Sequence, residues 1–323
     1  MSKVKVLLTR RWPAAVEATL MQRYEVTLNS DDHPFSADEI RTALQYYDAV
    51  CPTVCDALPA DVLQVNNKRC KILGNFGVGY NHINIATAKA EGIVVTNTPG
   101  VLTQSTADIA MTLLLMSARR GAEGDRMIRA NQWTGWCPTH MLSTDVTGAT
   151  LGLIGFGRIA QAMAHKAHFG FGMRILYVKP TPADPATVAQ LQATRCDSIT
   201  ELLANSDFVS LHCPGGAETK HLINAENLAL MKPSAHLINT ARGDVVDSQA
   251  LITALHNRQI AGAGLDVYEG EPNIHPGFLT LDNVALLPHL GSATLNTRIA
   301  MGEKVLANLE AFFSGKEVID RVA

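Results

Sequence analysis

The sequence predicts an α/β protein made of two Rossmann-like domains, each a doubly wound parallel sheet, and three observations lead to this class. A chain of 323 residues is long enough to bury two separate cores. Short apolar runs alternate with helix-forming stretches along most of the chain, which is the pattern of βαβ units. Near the middle, an apolar run at residues 150–154 leads directly into a glycine-containing loop and a helix-forming segment.

The first hundred residues predict a parallel sheet with helices on both faces, as in a flavodoxin-like domain. Five short apolar runs alternate with four helix-forming segments, several of which open at Ser, Asp or Pro. The predicted strands are residues 4–8, 25–28, 49–52, 71–75 and 93–96, and the predicted helices are residues 13–23, 36–47, 59–65 and 85–91.

The rest of the chain predicts a second α/β domain inserted into the first. A long helix is expected over residues 103–120, and a polar stretch that carries Trp133 and Trp136 leads to six further strands. One domain is then formed by residues 1–100 and 291–323, and the inserted, dinucleotide-binding domain by residues 101–290. The six strands are expected at 150–154, 174–178, 208–211, 236–239, 262–266 and 284–287, and the last helix at 292–314.

Bulk composition argues against nucleic acid and membrane as partners. The formal net charge is −3, the pI is near 6.4, and no run of Lys and Arg would attract a polyanion. No apolar run approaches the ~20 residues that cross a bilayer, and the N-terminal segment predicts a strand rather than a signal peptide. These features predict a cytoplasmic protein.

The six cysteines predict neither a metal site nor a disulfide framework. They form no CxxC pair, so we expect mostly small, reduced, partly buried side chains. A metal site that uses Cys51 and Cys55 is the alternative, but no pair of histidines completes it.

The loop of residues 155–160, GFGRIA in one-letter code, predicts a dinucleotide site. Gly155 permits a tight turn, Gly157 lets the backbone approach a pyrophosphate, and Ala160 keeps the helix close to the strand. The start of the helix offers free N–H groups and a positive dipole end, and Arg158 adds a charge. The alternatives are a tight turn that binds nothing and a methyltransferase-type nucleotide loop.

Lys179 bears on which nicotinamide cofactor the loop would hold. An NAD site usually has Asp or Glu at the end of the next strand, about 20 residues after the glycines, where it accepts a hydrogen bond from the ribose 2′-hydroxyl. Here the strand ends at Lys179, whose charge attracts a 2′-phosphate. The sequence therefore predicts NADP(H) as the preferred cofactor, with NAD(H) as the alternative. A lysine that merely extends into solvent is the competing interpretation.

Three segments that follow predicted strands carry the side chains of a hydride-transfer site. A guanidinium such as that of Arg242 can clamp a carboxylate and polarise the neighbouring carbonyl. An imidazole such as that of His289 can exchange a proton with the carbonyl oxygen. A carboxylate such as that of Glu271 can orient an imidazole and favour its charged form. Because open α/β sheets bind ligands at strand ends, these three residues form the predicted catalytic group.

These motifs resemble those of the D-isomer-specific 2-hydroxyacid dehydrogenases, most closely the glyoxylate/hydroxypyruvate reductase branch, over essentially the whole chain. The resemblance implies that Arg242, in the ARGDVVD segment, binds the substrate carboxylate. It also implies that Glu271, which directly precedes a proline, pairs with the acid/base His289 of the PHLGSAT segment. Glu269 lies nearby but does not precede a proline, so it is not the residue that matches.

The resemblance implies further site residues. The backbone N–H groups of Val78 and Gly79 are expected to bind the substrate carboxylate. Trp136 resembles a tryptophan that relatives insert into the active site of a partner subunit, which implies substrate contact and a homodimer formed through residues 120–145; a locally packed aromatic is the alternative. The residues expected at the cofactor are Thr106, Gly155, Phe156, Gly157, Arg158, Ile159, Lys179, Cys213, Pro214, Thr219, Thr240, Ala241, Arg242, Asp266, His289 and Gly291.

The expected function is NAD(P)H-dependent reduction of small 2-oxo acids, with glyoxylate and hydroxypyruvate favoured, to D-2-hydroxy acids. The nicotinamide would supply hydride to C2 and His289 the proton. Two alternatives remain open: a broad-specificity D-2-hydroxyacid dehydrogenase for bulkier 2-oxo acids, and a non-enzymatic, NAD(H)-sensing protein like the corepressors of this fold. The chain also departs from the family's usual Ala-Glu pair on the long helix, where it has Ala107 and Asp108.

Overall fold

The computed structural model describes residues 3–323, and these residues form two compact α/β units. The first unit comprises the chain up to Leu102 together with Ser292–Ala323, and the second comprises Thr103–Gly291. Each unit is built on one parallel sheet, of five and of seven strands. The predicted fold class is confirmed.

The sheet of the first unit has a flavodoxin-like strand order. Its strands are β1 (Lys5–Leu8), β2 (Glu25–Leu28), β3 (Ala49–Cys51), β4 (Ile72–Gly74) and β5 (Val94–Thr96). They pair in the order β2-β1-β3-β4-β5, so the order reverses between β1 and β3. The helices are α1 (Ala14–Arg23), α2 (Ala37–Tyr46), α3 (Ala60–Leu63), α4 (Ile85–Ala90) and, at the C-terminus, α13 (Leu295–Phe313).

The sheet of the second unit reverses its strand order between β6 (Thr150–Ile154) and β9 (Phe208–Leu211). The other strands are β7 (Arg174–Val178), β8 (Thr194–Arg195), β10 (His236–Asn239), β11 (Gly262–Leu265) and β12 (Val284–Leu286), and the full order is β12-β11-β10-β9-β6-β7-β8. Ligands of such sheets bind beyond the carboxyl ends of the strands at the reversal. The helices are α5 (Thr103–Ala118), α6 (Gly121–Arg129), α7 (Arg158–Phe171), α8 (Pro185–Gln190), α9 (Ile199–Asn205), α10 (Ala225–Ala229), α11 (Ser248–His256) and α12 (Pro276–Leu279).

Every strand predicted from an apolar run is present, with ends within one residue of the prediction. No helix was predicted in the polar stretch after α5, where the structure has α6. That helix has no buried residue, and it contains two glycines, which are poor helix formers. It starts after Arg120, whose φ of 52° interrupts the helical path. The last helix begins at Leu295 rather than at residue 292, because the hydroxyl of Thr294 caps it by accepting the N–H of Thr297.

Two further observations bear on the sequence predictions. Within residues 3–323, no helix combines the length and the apolar character needed to cross a bilayer.

Asp108, at which the chain departs from the pattern that the resemblance implies, lies on α5 and forms an ion pair of 3.0 Å with Lys166 on α7. The shorter carboxylate therefore links two packed helices of the second unit.

Candidate active site

The glycine loop lies where the strand order of the second sheet reverses. Gly155 follows β6 directly and has a φ of 86°, in the left-handed region that favours glycine. A Cβ at this position would lie 2.8 Å from backbone atoms of His212 and Cys213, which follow β9. Both the backbone conformation and the lack of space therefore require glycine here.

The start of α7 has the features of an anion site. Gly157 is the N-cap and supplies no side-chain hydrogen bond, so the N–H groups of the first turn are left without that acceptor. A Cβ at Gly157 would meet no atom within 4 Å, which shows that this position borders open space. Uncapped donors, the positive end of the helix dipole and open space together suit a pyrophosphate.

An unsatisfied polar atom lies beyond β10. The hydroxyl oxygen of Thr240 is buried and has no hydrogen-bond partner within residues 3–323. Leaving a buried polar group unpaired costs about 1–3 kcal/mol, so such an atom indicates a position that a ligand satisfies. Together with the loop at Gly155 and Gly157, it shows that the residues present fit a dinucleotide cofactor.

Several other residues predicted at the cofactor are engaged within the protein. The ring of Phe156 is buried and stacks on the tyrosine of β7, with centroids 4.1 Å apart. The hydroxyl of Thr106 donates to the carbonyl oxygen of Gly291 at 3.1 Å, and that of Thr219 donates to the carbonyl oxygen of Pro214 at 2.7 Å. These side chains therefore shape the loops at the sheet edge. Of the rest, Arg158 is exposed, Ile159 and Cys213 are half-buried, and Ala241 is buried.

Two basic side chains lie at the end of β7. Lys179 follows the strand directly and is half-buried. Arg195 lies on the edge strand β8, and its Nη2 donates to the carbonyl oxygens of Lys179 and Pro180 at 3.1 and 3.4 Å. The sequence prediction missed Arg195 because β8 has only two residues and no apolar pattern.

Arg242 is held by the loop beyond β10. The side-chain amide of Asn239 donates to the carbonyl oxygen of Arg242 at 2.8 Å and accepts the N–H of Ala241 at 3.0 Å. The aliphatic stem of Arg242 packs on Gly215, where an added Cβ would lie 2.8 Å from its Cγ. Burial lowers the pKa of Arg242, and attraction to Glu271 opposes this effect. An arginine remains charged in either case.

The loops beyond β10 and β11 are in direct contact. A Cβ on Gly243 would lie 1.9–2.4 Å from backbone atoms of Tyr268 and Glu269, so no larger residue fits there. Through this contact, the loop that carries Arg242 lies against the loop that carries Glu271.

His289 and Glu271 form a hydrogen-bonded pair. Nδ1 of His289 lies 2.8 Å from Oε2 of Glu271, and Oε1 of the same carboxylate accepts the N–H of Tyr268 at 2.8 Å. Burial acts to raise the pKa of Glu271, but the hydrogen bond to His289, the N–H of Tyr268 and attraction to Arg242 bring it below its usual value. The carboxylate is therefore ionised at neutral pH. Nε2 of His289 makes no hydrogen bond within residues 3–323 and is the ring nitrogen open to a substrate.

Buried polar groups hold the backbone at His289. Its φ of 54° lies in the left-handed region, which the surrounding structure must stabilise. The carboxylate of Asp266 accepts the N–H groups of Leu290 and Gly291 at 2.6 and 2.8 Å. Burial raises the pKa of this carboxyl. Asp266, predicted at the cofactor, thus acts on the loop that presents the histidine.

Within the first unit, Val78 and Gly79 lie in the loop beyond β4. The side-chain amide of Asn75 donates to the carbonyl oxygens of Gly77 and Gly79 at 3.1 and 3.0 Å, and that of Asn97 donates to the carbonyl oxygen of Val78 at 2.9 Å. The carbonyl groups are thus engaged, whereas the N–H groups of Val78 and Gly79 donate to no acceptor in the described chain. This arrangement suits a small anion.

Two buried polar atoms beside this loop were missed by the sequence analysis. The hydroxyl of Thr98 and Nε1 of Trp12 have no hydrogen-bond partner among the described residues. Thr98 donates its N–H to Gly77 at 3.0 Å, and the ring of Trp12 lies 4.5 Å from that of Phe76. No motif marks either residue, because their environment arises from packing between separate loops.

Residues 121–145 present an exposed surface. Helix α6 has no buried side chain, and Trp136 and Leu142 are 81% and 70% exposed. Trp136 therefore does not pack locally. The C-terminal end of the segment is fixed at Thr144. Its N–H donates to the carbonyl oxygen of Ala118 at 3.0 Å, and its hydroxyl lies 3.0 Å from Nε2 of His236. Exposed apolar groups on a fixed segment are typical of a protein interface.

Comparison with known proteins agrees with this geometry. The model of the family described as "D-isomer specific 2-hydroxyacid dehydrogenase, NAD binding domain" matches residues 111–291, more than half of the chain. A glyoxylate reductase of Thermococcus onnurineus (strain NA1) is 45% identical over 318 residues, which are 97% of this chain and 94% of that protein. The chain belongs to the D-isomer-specific 2-hydroxyacid dehydrogenase family.

Other relatives of this dehydrogenase are similar over the full chain. A glycerate dehydrogenase of Hyphomicrobium methylovorum is 38% identical over 98% of both proteins. The crystal structure of an NADPH-dependent glyoxylate/hydroxypyruvate reductase from Sinorhizobium meliloti, in complex with NADP and malonate, matches with a TM-score of 0.87 and 35% identity. The match covers 100% of this chain and 97% of the Sinorhizobium chain. The resemblance inferred from the motifs is confirmed, and the NAD-binding domain supports a nicotinamide cofactor.

Proposed function

We propose that this dehydrogenase reduces small 2-oxo acids, with glyoxylate and hydroxypyruvate favoured, to D-2-hydroxy acids. The observation that carries the proposal is the 2.8 Å hydrogen bond between His289 and Glu271, whose loop adjoins the loop of Arg242. The named activities of the Thermococcus and Sinorhizobium relatives support the choice of substrates. The test is to add glyoxylate to the purified protein and measure oxidation of the reduced cofactor. If no cofactor is oxidised, the proposal is wrong.

In this proposal His289 supplies the proton. Glu271 holds Nδ1 and thereby orients the ring, so the proton on Nε2 is directed at the substrate carbonyl oxygen. A nicotinamide cofactor, when bound, would supply the hydride for C2 of the substrate. Arg242 binds the substrate carboxylate and polarises the adjacent carbonyl. The carbonyl thereby becomes a hydroxyl, with one hydride and one proton consumed.

The proposal gives three residues outside the catalytic group a part in substrate binding. The N–H groups of Val78 and Gly79 are proposed to bind the carboxylate, which is supported by their lack of a protein acceptor. Trp136 is proposed to reach the substrate of a partner subunit, which is supported by its exposure.

NADP(H) is the proposed cofactor, with NAD(H) as the weaker one. Lys179 and Arg195 supply two positive charges at the end of β7, where an NAD site would place a carboxylate. A 2′-phosphate there would gain charge-assisted hydrogen bonds, whereas a 2′-hydroxyl would lack its usual acceptor. The Sinorhizobium neighbour, which is NADPH-dependent, is consistent with this preference.

Replacing Lys179 by Ala is expected to raise the KM for NADPH by about tenfold, the usual scale for one charge-assisted hydrogen bond. The KM for NADH should stay within about twofold, because NADH has no 2′-phosphate. Steady-state kinetics with both cofactors provide the measurement. The matched control is Lys89→Ala, which removes an exposed lysine of the first unit. Equal KM values for NADPH in Lys179→Ala and the wild type would exclude a role in cofactor choice.

The proposed assembly is a homodimer formed through residues 120–145. Replacing Trp136 by Ala is then expected to weaken the dimer about 30-fold or more, as for an aromatic hot spot at an interface. Analytical ultracentrifugation over a concentration series measures the dissociation constant. Tyr46→Ala, at an exposed aromatic on α2, serves as the control and should leave it unchanged. A wild-type protein that sediments as a monomer would contradict the assembly.

A further inference from the structure

His221 and Glu269 form a second histidine–glutamate pair in the unit Thr103–Gly291. Nε2 of His221 lies 2.7 Å from Oε1 of Glu269. The other carboxylate oxygen of Glu269 accepts the N–H of Ser248, the first residue of α11, at 3.0 Å. Both oxygens of Glu269 are thus used away from His289, although Glu269 lies only two residues before Glu271.

The pair joins segments that are far apart in sequence. His221 belongs to the segment beyond β9, which also contains the proposed cofactor residues Cys213, Pro214 and Thr219. That segment runs alongside the loop beyond β10. The N–H of His221 donates to the carbonyl oxygen of Asp244 at 2.7 Å, and the N–H of Ile223 donates to the carbonyl oxygen of Val245 at 3.0 Å. Glu269 belongs to the loop beyond β11. The side-chain bond is therefore a bridge between the first and the third of three adjacent loops.

The other contacts among these loops show why such a bridge affects the site. Gly215, on the first loop, packs on the stem of Arg242 on the second, and Gly243, on the second, packs on the backbone of Glu269 on the third. In both contacts the glycine backbone lies so close to its neighbour that a Cβ would not fit. A shift of one loop therefore moves the next. His221 and Glu269 supply the direct link from the first loop to the third.

We propose that His221 and Glu269 are positioning residues whose hydrogen bond couples the cofactor-side loop beyond β9 to the loop that carries Glu271. This inference rests on the proposed function. With the bond in place, Glu271 is held where it orients His289, and the segment of residues 213–219 is held for the cofactor. Neither residue of the pair contacts the reacting atoms, so their effect passes through Glu271 and through the cofactor loop.

The test compares His221→Asn, Glu269→Gln and the double variant. Asn tolerates the φ of 50° at position 221 but is too short to replace Nε2, and Gln keeps the shape of Glu269 without its charge. Each single variant should lower kcat with glyoxylate and raise the Kd for NADPH by about tenfold, while the double variant loses no more than either single one, as members of one network do. The KM for glyoxylate should change less than kcat does, because the guanidinium of Arg242 is retained.

A conservative variant and a control separate positioning from a general loss of stability. His221→Gln, which restores an N–H donor of similar reach, should recover most of kcat even though its thermal unfolding midpoint falls, because Gln is strained at a positive φ. His33→Asn removes an exposed histidine–glutamate contact of 2.9 Å in the first unit and should leave kcat and Kd unchanged. A merely structural pair would lower the unfolding midpoint with kcat and Kd retained.

Two results would overturn the inference: wild-type kcat and Kd in both single variants, or a double variant that loses the product of the two single effects. Failure of the proposed function is distinguishable, since the wild type would then not oxidise NADPH with glyoxylate. In that event the Kd for NADPH, measured from the quenching of tryptophan fluorescence, decides on the pair alone. An unchanged Kd in both single variants would then overturn it.

Discussion

Replacing His289 by Asn is expected to lower kcat for glyoxylate reduction by about 10²–10⁴-fold, because the carbonyl oxygen loses its proton donor. Asn is chosen since it tolerates the φ of 54° at this position, so the loop held by Asp266 can keep its path. Steady-state oxidation of NADPH at saturating glyoxylate measures kcat. The KM for glyoxylate should change much less, because Arg242 still binds the carboxylate.

The control for this variant is His256→Asn, at an exposed histidine at the end of α11. Its kcat should equal that of the wild type. If His289→Asn also turned over at the wild-type rate, the proton would have to come from another group and the proposed mechanism would be wrong.

Replacing Arg242 by Ala is expected to lower kcat/KM for glyoxylate by about 10²–10³-fold, the scale for removing one partner of a buried charge pair. The loss should lie mainly in KM, because the substrate carboxylate loses its cation. Arg242→Lys keeps the charge and the stem that packs on Gly215, but it lacks the planar fork that binds both carboxylate oxygens. It should therefore recover only part of the loss.

The two Arg242 variants also show whether a loss of activity arises from a loss of stability. Both should retain the unfolding midpoint of the wild type within a few degrees, and Lys should do so more closely since its stem fills the same space. A KM for glyoxylate within twofold of the wild type in Arg242→Ala would contradict the assignment of the carboxylate to this residue.

The strands and the three catalytic candidates were accessible from the sequence because each depends on a local signal. Buried parallel strands leave continuous apolar runs, which is why the ends of β6 and β9 were predicted within one residue. Gly155 needs glycine for its own φ, and Glu271 and His289 lie six and three residues after the ends of strands that can be recognised, β11 and β12. For these residues, position along the chain predicts position at the sheet edge.

The features that escaped prediction depend on contacts between distant segments. Arg195 lies at the end of β7 only because β8, a strand of two exposed residues, pairs there. The pair of His221 and Glu269 joins residues 48 apart, and nothing in the local sequence distinguishes Glu269 from an ordinary surface glutamate. Helix α6 was missed for a different reason: it contains two glycines, which are poor helix formers, and none of its residues is buried.

The most direct test of the central claim is the rate at which the purified protein oxidises NADPH and NADH with a panel of 2-oxo acids. The panel should include glyoxylate, hydroxypyruvate, pyruvate and the bulkier phenylpyruvate. We expect turnover with glyoxylate and hydroxypyruvate, and a kcat/KM for NADPH at least about tenfold above that for NADH, because of the charges of Lys179 and Arg195. Absence of turnover with every acid and both cofactors would contradict it.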